Sequence, residues 1–410
     1  MRGFLTKAKA SRQIVATLDS RTKNRILYEM AEALVNNSEY IIDANSRDML
    51  LGKKNRLNSA LLDRLLLDKE RIRGMAKSLV EISNLKEPVG RVLDGWINDD
   101  NLRIEKISVP IGVIGVIYES RPNVTSDVAG LCFKSGNVAI LKGGKEAENS
   151  NRAIADVLQS ILEHHSLPKE IISLLPDSSR EGVAKLIKED SFVDLIVPRG
   201  GEGLIRYISK NASVPVVKHD KGLCHTYIHK DADPKKAISI SINAKCQRPG
   251  VCNAMETLII DKDIAKKILP ALYKAFVDAG TKLKGCPLTR EFIFVELATD
   301  KDFDTEYLSN QLNIKIVENI DEAIEHISRF GSGHSEAIIT ENYTASEKFL
   351  NMIDAACVYV NASTRFTDGG VFGFGAEVGI STNKLHARGP MGINELTTYK
   401  FKIYGNGQIR

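Results

Sequence analysis

The stretch VIGVIYESRPNVTSDVAGLCFKSGNVAILKGGK, residues 113–145, contains two apolar runs with a segment of helix length between them. Val113 to Ile117 and Asn137 to Leu141 are rich in β-branched residues, as buried strands are. Thr125-Ser126-Asp127 predicts a helix start between them, and Gly136 predicts its end. A strand, a helix and a second strand in this order indicate parallel pairing, because a crossover helix returns the chain to the same end of the sheet.

This alternation continues along most of the chain. Apolar runs of strand length follow amphipathic segments, which predicts an α/β fold with two doubly wound, Rossmann-like domains. The predicted helices are 150–164, 181–188, 234–244, 263–278 and 321–329, and the predicted strands are 171–175, 193–197, 255–260, near 292–295 and 314–317. Residues 1–87 are predicted to be helical, since Ile26, Leu27, Met30 and Leu34 recur at helical spacing.

A β-hairpin is predicted after Pro88. GRVLDGWI and LRIEKISV flank the polar turn NDDN, and the alternation slips at Glu105-Lys106, which predicts a bulge there. The tail ELTTYKFKIY, residues 395–404, is predicted to be a strand that meets the hairpin. Exposed sheet edges invite pairing with another chain, so we expect a homo-oligomer.

The composition excludes several classes of protein. The 410 residues are 43% hydrophobic and 26% charged, which is typical of a globular protein of two or three domains. A net charge of +4 with scattered basic residues gives no footprint for nucleic acid. No apolar run reaches the length of a membrane span, and the N-terminus lacks the apolar core of a signal peptide, so no membrane association is expected. Six sparse cysteines favour a reducing cytoplasm.

Two glycine-containing turns are candidates for nucleotide binding. Leu141 to Lys145, LKGGK, follows a predicted strand, and VPRGGEG at 197–203 follows another, so Lys142, Gly143, Gly144, Lys145, Arg199, Gly200 and Gly201 are candidate cofactor residues. Backbone N–H groups in such turns can face a phosphate at a helix N-terminus. The alternative, that both are ordinary strand-to-helix turns, stays open at this stage. The strict GxGxxG pattern is absent, which disfavours a standard Rossmann dehydrogenase.

The cysteines at 246 and 252 surround an Arg-Pro-Gly break. Their spacing lacks the C-x2-C or histidine partners of a zinc site, so no metal is expected. An unpaired cysteine is usually a small buried hydrophobe, which suits Cys132 and Cys357. Cys246 is predicted to end the preceding helix. Cys252 follows the break and precedes a strand, with Arg248 and Lys245 nearby to favour a thiolate, and is therefore a candidate nucleophile.

Together these motifs resemble the gamma-glutamyl phosphate reductase family, a branch of the aldehyde dehydrogenase superfamily. The resemblance is carried by RPGVCNAMETL at 248–258, YESRPNVT at 118–125, GFGAEVGIST at 373–382, HARGPMG at 386–392 and ELTTYKF at 395–401. It covers nearly the whole chain. It implies an aldehyde dehydrogenase-like fold and NADPH-dependent reduction of L-glutamate 5-phosphate in proline biosynthesis.

The resemblance also implies roles for single residues. Cys252 matches the nucleophile, and Asn123 matches the asparagine whose side-chain amide forms an oxyanion hole. Glu306 matches the glutamate that holds the nicotinamide ribose, and Lys142 matches the lysine that contacts the adenine ribose. For the substrate carboxylate and phosphate, Arg121 and Arg365 are candidate cations, although structural salt bridges explain an arginine equally often.

Two departures from general aldehyde dehydrogenases are informative. Where those enzymes have KPSE, with a glutamate on the ribose, this chain has KGGK, and Lys145 replaces the acid. A cation there can pair with a 2′-phosphate, which favours NADP(H). Where they have ELGG, this chain has KHDKGLCH at 218–225, without the glutamate base that activates water. Its loss suits an enzyme that makes an aldehyde rather than hydrolysing a thioester.

The same residues leave rival functions open. The first is another acylating or aldehyde dehydrogenase of the superfamily. A cysteine-dependent acyltransferase or hydrolase would need a histidine base, and His219 and His225 lie upstream of Cys252, but neither is in a hydrolase-like motif. A nucleotide-binding protein without catalysis would have no need of Cys252 and Asn123. The upstream glutamate kinase is a possible partner.

The resemblance and the element pattern together predict the domains. Residues 1–88, 110–228 and 360–384 are assigned to an NADP-binding domain, and 229–359 to a catalytic domain carrying Cys252. Residues 89–109 and 385–410 are assigned to an oligomerisation flap.

Overall fold

The computed structural model describes residues 1–119, 121–217 and 221–410 and divides into two compact units. The first unit holds the described residues up to 217 together with 373–379 and 391–410. The second unit holds 221–372 and 380–390.

The first unit begins with helices that bury one face each. In the second of them Ile26, Leu27, Met30 and Leu34 are fully buried, which confirms the prediction made from their spacing. The helices of this unit are α1 Arg2–Ala16, α2 Ser20–Asn36, α3 Ser38–Lys54, α4 Ser59–Leu65, α5 Lys69–Ser83, α6 Asn123–Lys134, α7 Glu148–His164, α8 Arg180–Leu186 and α9 Glu202–Asn211.

A parallel sheet lies at the centre of the first unit. Two antiparallel strands precede it in the chain, β1 Val92–Ile97 and β2 Arg103–Pro110, and its own strands are β3 Val113–Tyr118, β4 Val138–Lys142, β5 Ile172–Leu174 and β6 Leu195–Arg199. The strand order is β5-β4-β3-β6, so the chain reverses direction across the sheet at β3. Every residue of β3 is buried, because helices cover both faces of a parallel sheet.

The second unit contains a longer parallel sheet. Its strands are β7 Cys224–Ile228, β8 Met255–Asp261, β9 Lys282–Gly285, β10 Glu296–Leu297, β11 Gln311–Val317, β12 Ser335–Ile339 and β13 Cys357–Val360, in the order β10-β9-β11-β8-β7-β12-β13. Its helices are α10 Pro234–Cys246, α11 Lys262–Asp278, α12 Asp300–Phe303, α13 Ile320–Phe330 and α14 Tyr343–Met352. A separate short pair consists of β14 Gly379–Ser381 and β15 Gly389–Met391.

The C-terminal strand β16, Thr397–Tyr404, pairs antiparallel with β2 from Thr397↔Pro110 to Tyr404↔Arg103. This confirms that the tail meets the hairpin. The bulge lies in β1 instead of at Glu105-Lys106, because the register shifts between Val92 and Asp94. The interrupted alternation was real, but the extra residue sits on the opposite strand.

Some predicted boundaries are corrected by the structure. The strand expected near 292–295 is instead the two-residue β10 at Glu296–Leu297, and Phe294 is 93% exposed. The preceding β9 was missed because its sequence, KLKG, has too few apolar residues to alternate. α6 starts at Asn123, two residues before the predicted start.

The boundary between the units also differs from the predicted one. Residues up to 228 were assigned to the first domain, but β7 pairs with β8 and β12 by main-chain hydrogen bonds and belongs to the second unit. Most of 360–384 also belongs there. The functional roles assigned to the domains stay predictions. Within the described residues no helix is long and apolar enough to cross a membrane.

Candidate active site

Cys252 lies in a turn between α10 and β8. α10 ends at Cys246 and β8 begins at Met255. The Ala254 N–H donates to the Val251 carbonyl at 3.0 Å, which closes the turn around Cys252. The side chain of Cys252 is half-buried, so this thiol is neither a core residue nor fully solvated. Cys252 therefore precedes a strand, as predicted, and its role as the nucleophile stays a prediction.

Cys246 has different surroundings. It is the last residue of α10, as predicted, and its Sγ lies 3.4 Å from Thr281 Oγ1. Its side chain packs against the hydrophobic core of the second unit. Cys246 therefore ends the helix, as predicted, and contributes to packing in the second unit.

The segment before β7 contacts the backbone of Cys252. A Cβ added to Gly222 would lie 2.2 Å from the Cys252 carbonyl oxygen and 2.6 Å from its Cα, so only glycine permits this approach. The Cys224 thiol lies 3.2 Å from the same carbonyl oxygen. Contacts to its backbone therefore help to set the position of the predicted nucleophile.

The next residue, Asn253, ties this turn to the segment around the 3-10 helix Thr364–Phe366. Its Nδ2 donates to the Thr367 carbonyl at 2.7 Å, and the Thr364 hydroxyl donates to the Asn253 carbonyl at 2.8 Å. Both bonds are buried. Buried hydrogen bonds of this kind hold a loop in one conformation, because breaking them leaves polar groups unsatisfied.

The cation beside Cys252 is an arginine from this same segment. Arg365 is half-buried, and its Nε donates to Gln247 Oε1 at 2.9 Å. Burial lowers the pKa of the Arg365 guanidinium, and the nearby charge of Arg248 lowers it as well. Cys252 is among the groups that raise this pKa. Arg365, Arg248 and Cys252 therefore lie within electrostatic reach of one another.

Lys245 was predicted to favour a Cys252 thiolate, but its charge is paired elsewhere. It is fully buried and donates from Nζ to Glu256 Oε2 at 2.8 Å. Its charge is thus balanced inside the core of the second unit. The expectation that Lys245 would favour a Cys252 thiolate is corrected, since a lysine committed to a buried carboxylate is not available to a neighbouring thiol.

Glu306 lies close to this buried ion pair. Burial raises the pKa of Glu256 to about 7, and Glu306 is one of the groups that contribute to the rise, while Lys245 opposes it. The Leu308 N–H donates to Glu256 Oε1 at 3.3 Å. The structure therefore brings the segment carrying Glu306 to the same region of the second unit as α10 and β8.

A cysteine hydrolase would need a histidine base, and two histidines precede Cys252 in the chain. His219 lies outside the described residues. His225 is buried in β7, where Nδ1 lies 2.9 Å from Glu336 Oε2 and the backbone N–H donates to the same oxygen at 2.8 Å. His225 is thus committed to a buried carboxylate.

In the first unit Asn123 opens α6 and its side chain is exposed. Its Nδ2 donates to Asp127 Oδ2 at 3.1 Å, one helical turn further on. Burial raises the pKa of Asp127 to about 6, with Ser78, Asn123 and Arg199 opposing the rise. Arg121 is exposed just before this helix, and its carbonyl accepts the Val124 N–H at 3.0 Å.

The turn after β4 forms one side of a pocket. Lys142 ends the strand, and burial lowers its pKa. A Cβ on Gly143 would lie 2.0 Å from Asn151 Nδ2, so the backbone here is held against α7. Of the candidate cofactor residues, Lys142, Gly143 and Gly144 line this pocket, whereas Lys145 is exposed and does not. The other lining residues are Leu141, Glu148, Asn151, Arg152, Leu174, Leu175 and Ser178.

The second glycine turn contains its own carboxylate. The Gly201 N–H donates to Glu119 Oε2 at 3.1 Å, and Arg199 Nη1 lies 3.8 Å from Glu377 Oε1. The groups expected to face a phosphate are therefore engaged with acidic side chains within the first unit. This turn is a weaker candidate for cofactor binding than the turn after β4.

Comparison with known proteins places these observations in a family. The model of the aldehyde dehydrogenase family matches residues 2–289. Proteins named gamma-glutamyl phosphate reductase from Nitratiruptor sp. and Sulfurovum sp. are 67% and 68% identical, each over 100% of this chain and of the relative. A crystal structure of gamma-glutamyl phosphate reductase from Thermotoga maritima superposes with a TM-score of 0.98 at 45% identity, over 100% of this chain and 99% of that one.

The chain belongs to the gamma-glutamyl phosphate reductase family. Membership confirms the aldehyde dehydrogenase-like fold expected from the motifs. An acetylating aldehyde dehydrogenase from Geobacillus thermoglucosidasius, with a TM-score of 0.68 at 19% identity, shares the fold alone. Membership of the aldehyde dehydrogenase family also implies a nicotinamide cofactor.

Sequence reasoning missed three groups in these regions. Gly222 holds the Cys252 turn, Asp127 bonds Asn123, and Arg152 lines the pocket after β4. The spacing of Asn123 and Asp127, four residues on one helix, was the available signal for their bond. Nothing in the local sequence connects Gly222 with Cys252, because the contact joins segments separated along the chain.

Proposed function

We propose that Cys252 and NADPH carry out the reaction that family membership assigns to this chain. The chain is an oxidoreductase of proline biosynthesis that reduces L-glutamate 5-phosphate to L-glutamate 5-semialdehyde and phosphate. The observation that carries the proposal is the Cys252 turn, held by Gly222 and Asn253 with Arg365 beside it.

The proposed chemistry begins with attack of the Cys252 thiolate on the acyl carbon. The carbon–sulfur bond forms, the carbon–oxygen bond to phosphate breaks, and inorganic phosphate leaves. The Asn123 amide and the Cys252 backbone N–H stabilise the oxyanion, and removal of one such donor typically costs about 3–4 kcal/mol in the barrier. Arg365 is placed to hold a phosphate or carboxylate oxygen, since guanidinium groups match the geometry of these anions.

The thioester is then reduced to the aldehyde. NADPH, when bound, supplies the hydride. The thiohemiacetal that results releases the Cys252 thiolate and L-glutamate 5-semialdehyde, which cyclises to pyrroline-5-carboxylate. No glutamate base is present in KHDKGLCH, residues 218–225, to activate water against the thioester. Residues 218–220 lie outside the described part of the chain.

We assign the adenosine end of the cofactor to the turn after β4. Lys142, Gly143 and Gly144 line the pocket there, and a side chain on Gly143 would collide with Asn151. Arg152 lines the same pocket and Lys145 adds a cation at the exposed turn, which favours a 2′-phosphate and hence NADPH over NADH. For the remainder of the cofactor we retain Arg199, Gly200, Gly201 and, for the nicotinamide ribose, Glu306.

We also propose a homo-oligomer and a cytoplasmic location. In the sheet of β1, β2 and β16, Ile97 is 68% and Ile403 60% exposed, and such apolar area on an edge sheet needs cover. A contact with the glutamate kinase that supplies the acyl phosphate stays a prediction. Arg121, exposed before α6, is retained as a second candidate for the substrate.

The test is the reverse reaction, with pyrroline-5-carboxylate, phosphate and NADP⁺, followed by absorbance of the reduced nicotinamide. Cys252→Ala is expected to abolish turnover with the fold intact, whereas Cys246→Ala, the matched control, should retain it. A fully active Cys252→Ala protein would refute the mechanism. Phosphate release from the acyl phosphate without NADPH consumption would instead favour a cysteine hydrolase.

A further inference from the structure

The first unit contains a cavity of about 240 Å³ between the end of α4, α5 and the first turns of α6. Its lining includes Arg64, Arg71, Gly74, Ser78, Asn123 and Asp127. The cavity therefore joins two cations and one acid to the residue proposed for the oxyanion hole.

Asp127 lines this cavity and carries a buried oxygen that is unsatisfied within the described part of the chain. Oδ2 accepts the Asn123 amide, but Oδ1 is buried and has no hydrogen-bond partner in the described part of the chain. Ser78 lies close enough to lower the pKa of this carboxyl without making a well-formed hydrogen bond to Oδ1. A buried carboxylate oxygen without a donor is costly, so a ligand cation would gain by pairing with it.

The two arginines of the cavity differ in availability. Arg71 is committed, because its Nη2 lies 2.6 Å from Asp63 Oδ1 and its Nη1 donates to the Leu66 carbonyl at 3.0 Å. Arg64, in the last turn of α4, has no ion-pair or hydrogen-bond partner among the residues that the structure describes. Arg64 is thus the cation left to hold a ligand anion.

We infer that this cavity binds the α-amino acid headgroup of the substrate, with Asp127 taking the ammonium and Arg64 the carboxylate. This inference rests on the proposed function and assigns the substrate contacts that it leaves open. A site with one acidic and one basic side chain can select a zwitterion over a simple anion, because each side chain pairs with one of the two charges of the ligand. Arg199, which is electrostatically close to Asp127, is paired with Glu377 and does not cancel the recognition of an ammonium.

The spacing along α6 suits the length of the substrate. Four residues of a helix rise by about 6 Å, so Asn123 and Asp127 lie one turn apart on the same face. In glutamate, four bonds of about 1.5 Å separate the acyl carbon from the ammonium nitrogen, which spans about 5 Å when extended. An acyl oxygen at Asn123 thus leaves the ammonium near Asp127.

Substrate analogues that lack one charge test each contact. Glutarate semialdehyde lacks the ammonium, and 4-aminobutanal, supplied as its cyclic imine, lacks the carboxylate. In the reverse assay, Asp127→Asn should lower kcat/KM for glutamate semialdehyde about 10- to 100-fold and leave that for glutarate semialdehyde unchanged. Arg64→Gln should lower kcat/KM for glutamate semialdehyde to a similar extent and leave that for 4-aminobutanal unchanged. Arg64→Lys should restore part of the loss for glutamate semialdehyde.

Asp127→Asn keeps an oxygen that accepts the Asn123 amide, so it separates charge recognition from positioning. If Asp127 only orients Asn123, Asp127→Asn will not discriminate among the three aldehydes: kcat/KM will stay near wild type for all of them or fall by one common factor, and either result overturns the inference. Surface charges that do not line the cavity provide matched controls: Arg73→Gln and Asp43→Asn should leave all three values within about twofold of wild type.

Gly74 allows a test from the opposite direction. It lines the cavity, and a Cβ there would meet no atom within 4 Å. Gly74→Leu should therefore fill the headgroup space while raising the free energy of unfolding, since leucine favours a helix more than glycine does. A stable variant with a sharply raised KM for glutamate semialdehyde and an unchanged KM for NADP⁺ is expected; an unchanged KM for the aldehyde would overturn the inference.

Failure of the inference and failure of the proposed function give different results. A wild-type protein that oxidises glutamate semialdehyde, but whose Arg64 and Asp127 variants keep its selectivity, overturns the headgroup site alone. A wild-type protein inactive on all three aldehydes overturns the proposed function. L-glutamate, which carries the headgroup but cannot react, then tests the site by calorimetry: weaker binding to both variants supports it, and equal binding rejects it.

Discussion

Replacing Gly222 by alanine is expected to displace Cys252 without altering a group that takes part in the chemistry. The new Cβ would lie 2.2 Å from the Cys252 carbonyl oxygen and 2.6 Å from its Cα, whereas ordinary van der Waals contact begins at 3.4 Å. Both neighbouring atoms belong to the backbone, so rotation of a side chain cannot relieve the overlap. The Cys252 turn must therefore move by about 1 Å.

A shift of this size has a predictable cost. A misplacement of ~1 Å lowers rates by roughly 100-fold, because the sulfur no longer meets the acyl carbon in a near-attack geometry. Overpacking should also reduce the free energy of unfolding by about 1–3 kcal/mol. In the reverse assay, kcat of Gly222→Ala should fall by about two orders of magnitude. NADPH binding, followed by nucleotide fluorescence, should remain unchanged, because the proposed adenosine pocket lies in the other unit.

The matched control is Gly3→Ala in α1, where an added Cβ meets no atom within 4 Å. It should retain full activity, with equal or slightly higher stability. If Gly222→Ala were folded and turned over at the wild-type rate, the argument that backbone contact positions Cys252 would be refuted. Slower labelling of Cys252 by iodoacetamide in the variant would place the change at the thiol itself.

Three further perturbations probe the cofactor, the core and the assembly. Lys145→Glu should raise the KM for NADPH by about tenfold and leave that for NADH nearly unchanged in initial-rate measurements, since a carboxylate repels the 2′-phosphate; equal effects would contradict this role. Lys245→Met leaves Glu256 buried without its cation and should lower the free energy of urea unfolding at pH 7 by about 3–5 kcal/mol. Burial already raises the pKa of Glu256 to about 7, so its protonated form favours folding, and stability of the variant should fall as pH rises from about 5 to 8 more steeply than in wild type. Ile403→Asp on the exposed sheet should dissociate the proposed oligomer in light scattering, and an unchanged mass would argue against that interface.

The alternation of apolar runs and helical segments was sufficient to predict the parallel sheets, because burial of a strand on both faces demands an apolar run. It was insufficient for β9, whose KLKG sequence pairs through its backbone with little help from side chains. It did not predict β7 as a strand, and the predicted domain boundary at 228 left these residues in the first domain, because a local pattern does not indicate which strands pair.

In the candidate site, too, the positions of residues along the chain were predictable, whereas their contacts were not. The motif around Cys252, the start of α6 at Asn123 and the lysine after β4 are local patterns, and their positions on turns and helix ends followed from the residues themselves. The partners of these residues did not. Lys245 looked like a cation for Cys252 from its spacing, but the fold turns it onto Glu256, because a buried lysine needs a carboxylate.

The amino-acid sequence alone therefore determined the class of fold and the family, and it nominated Cys252 as the nucleophile, since these depend on periodicity and on short motifs. The tertiary structure decided which distant groups surround that cysteine, and it placed Arg64 and Asp127 on one cavity. These contacts join residues far apart in the chain, and their distances depend on how helices and strands pack, which no local pattern encodes.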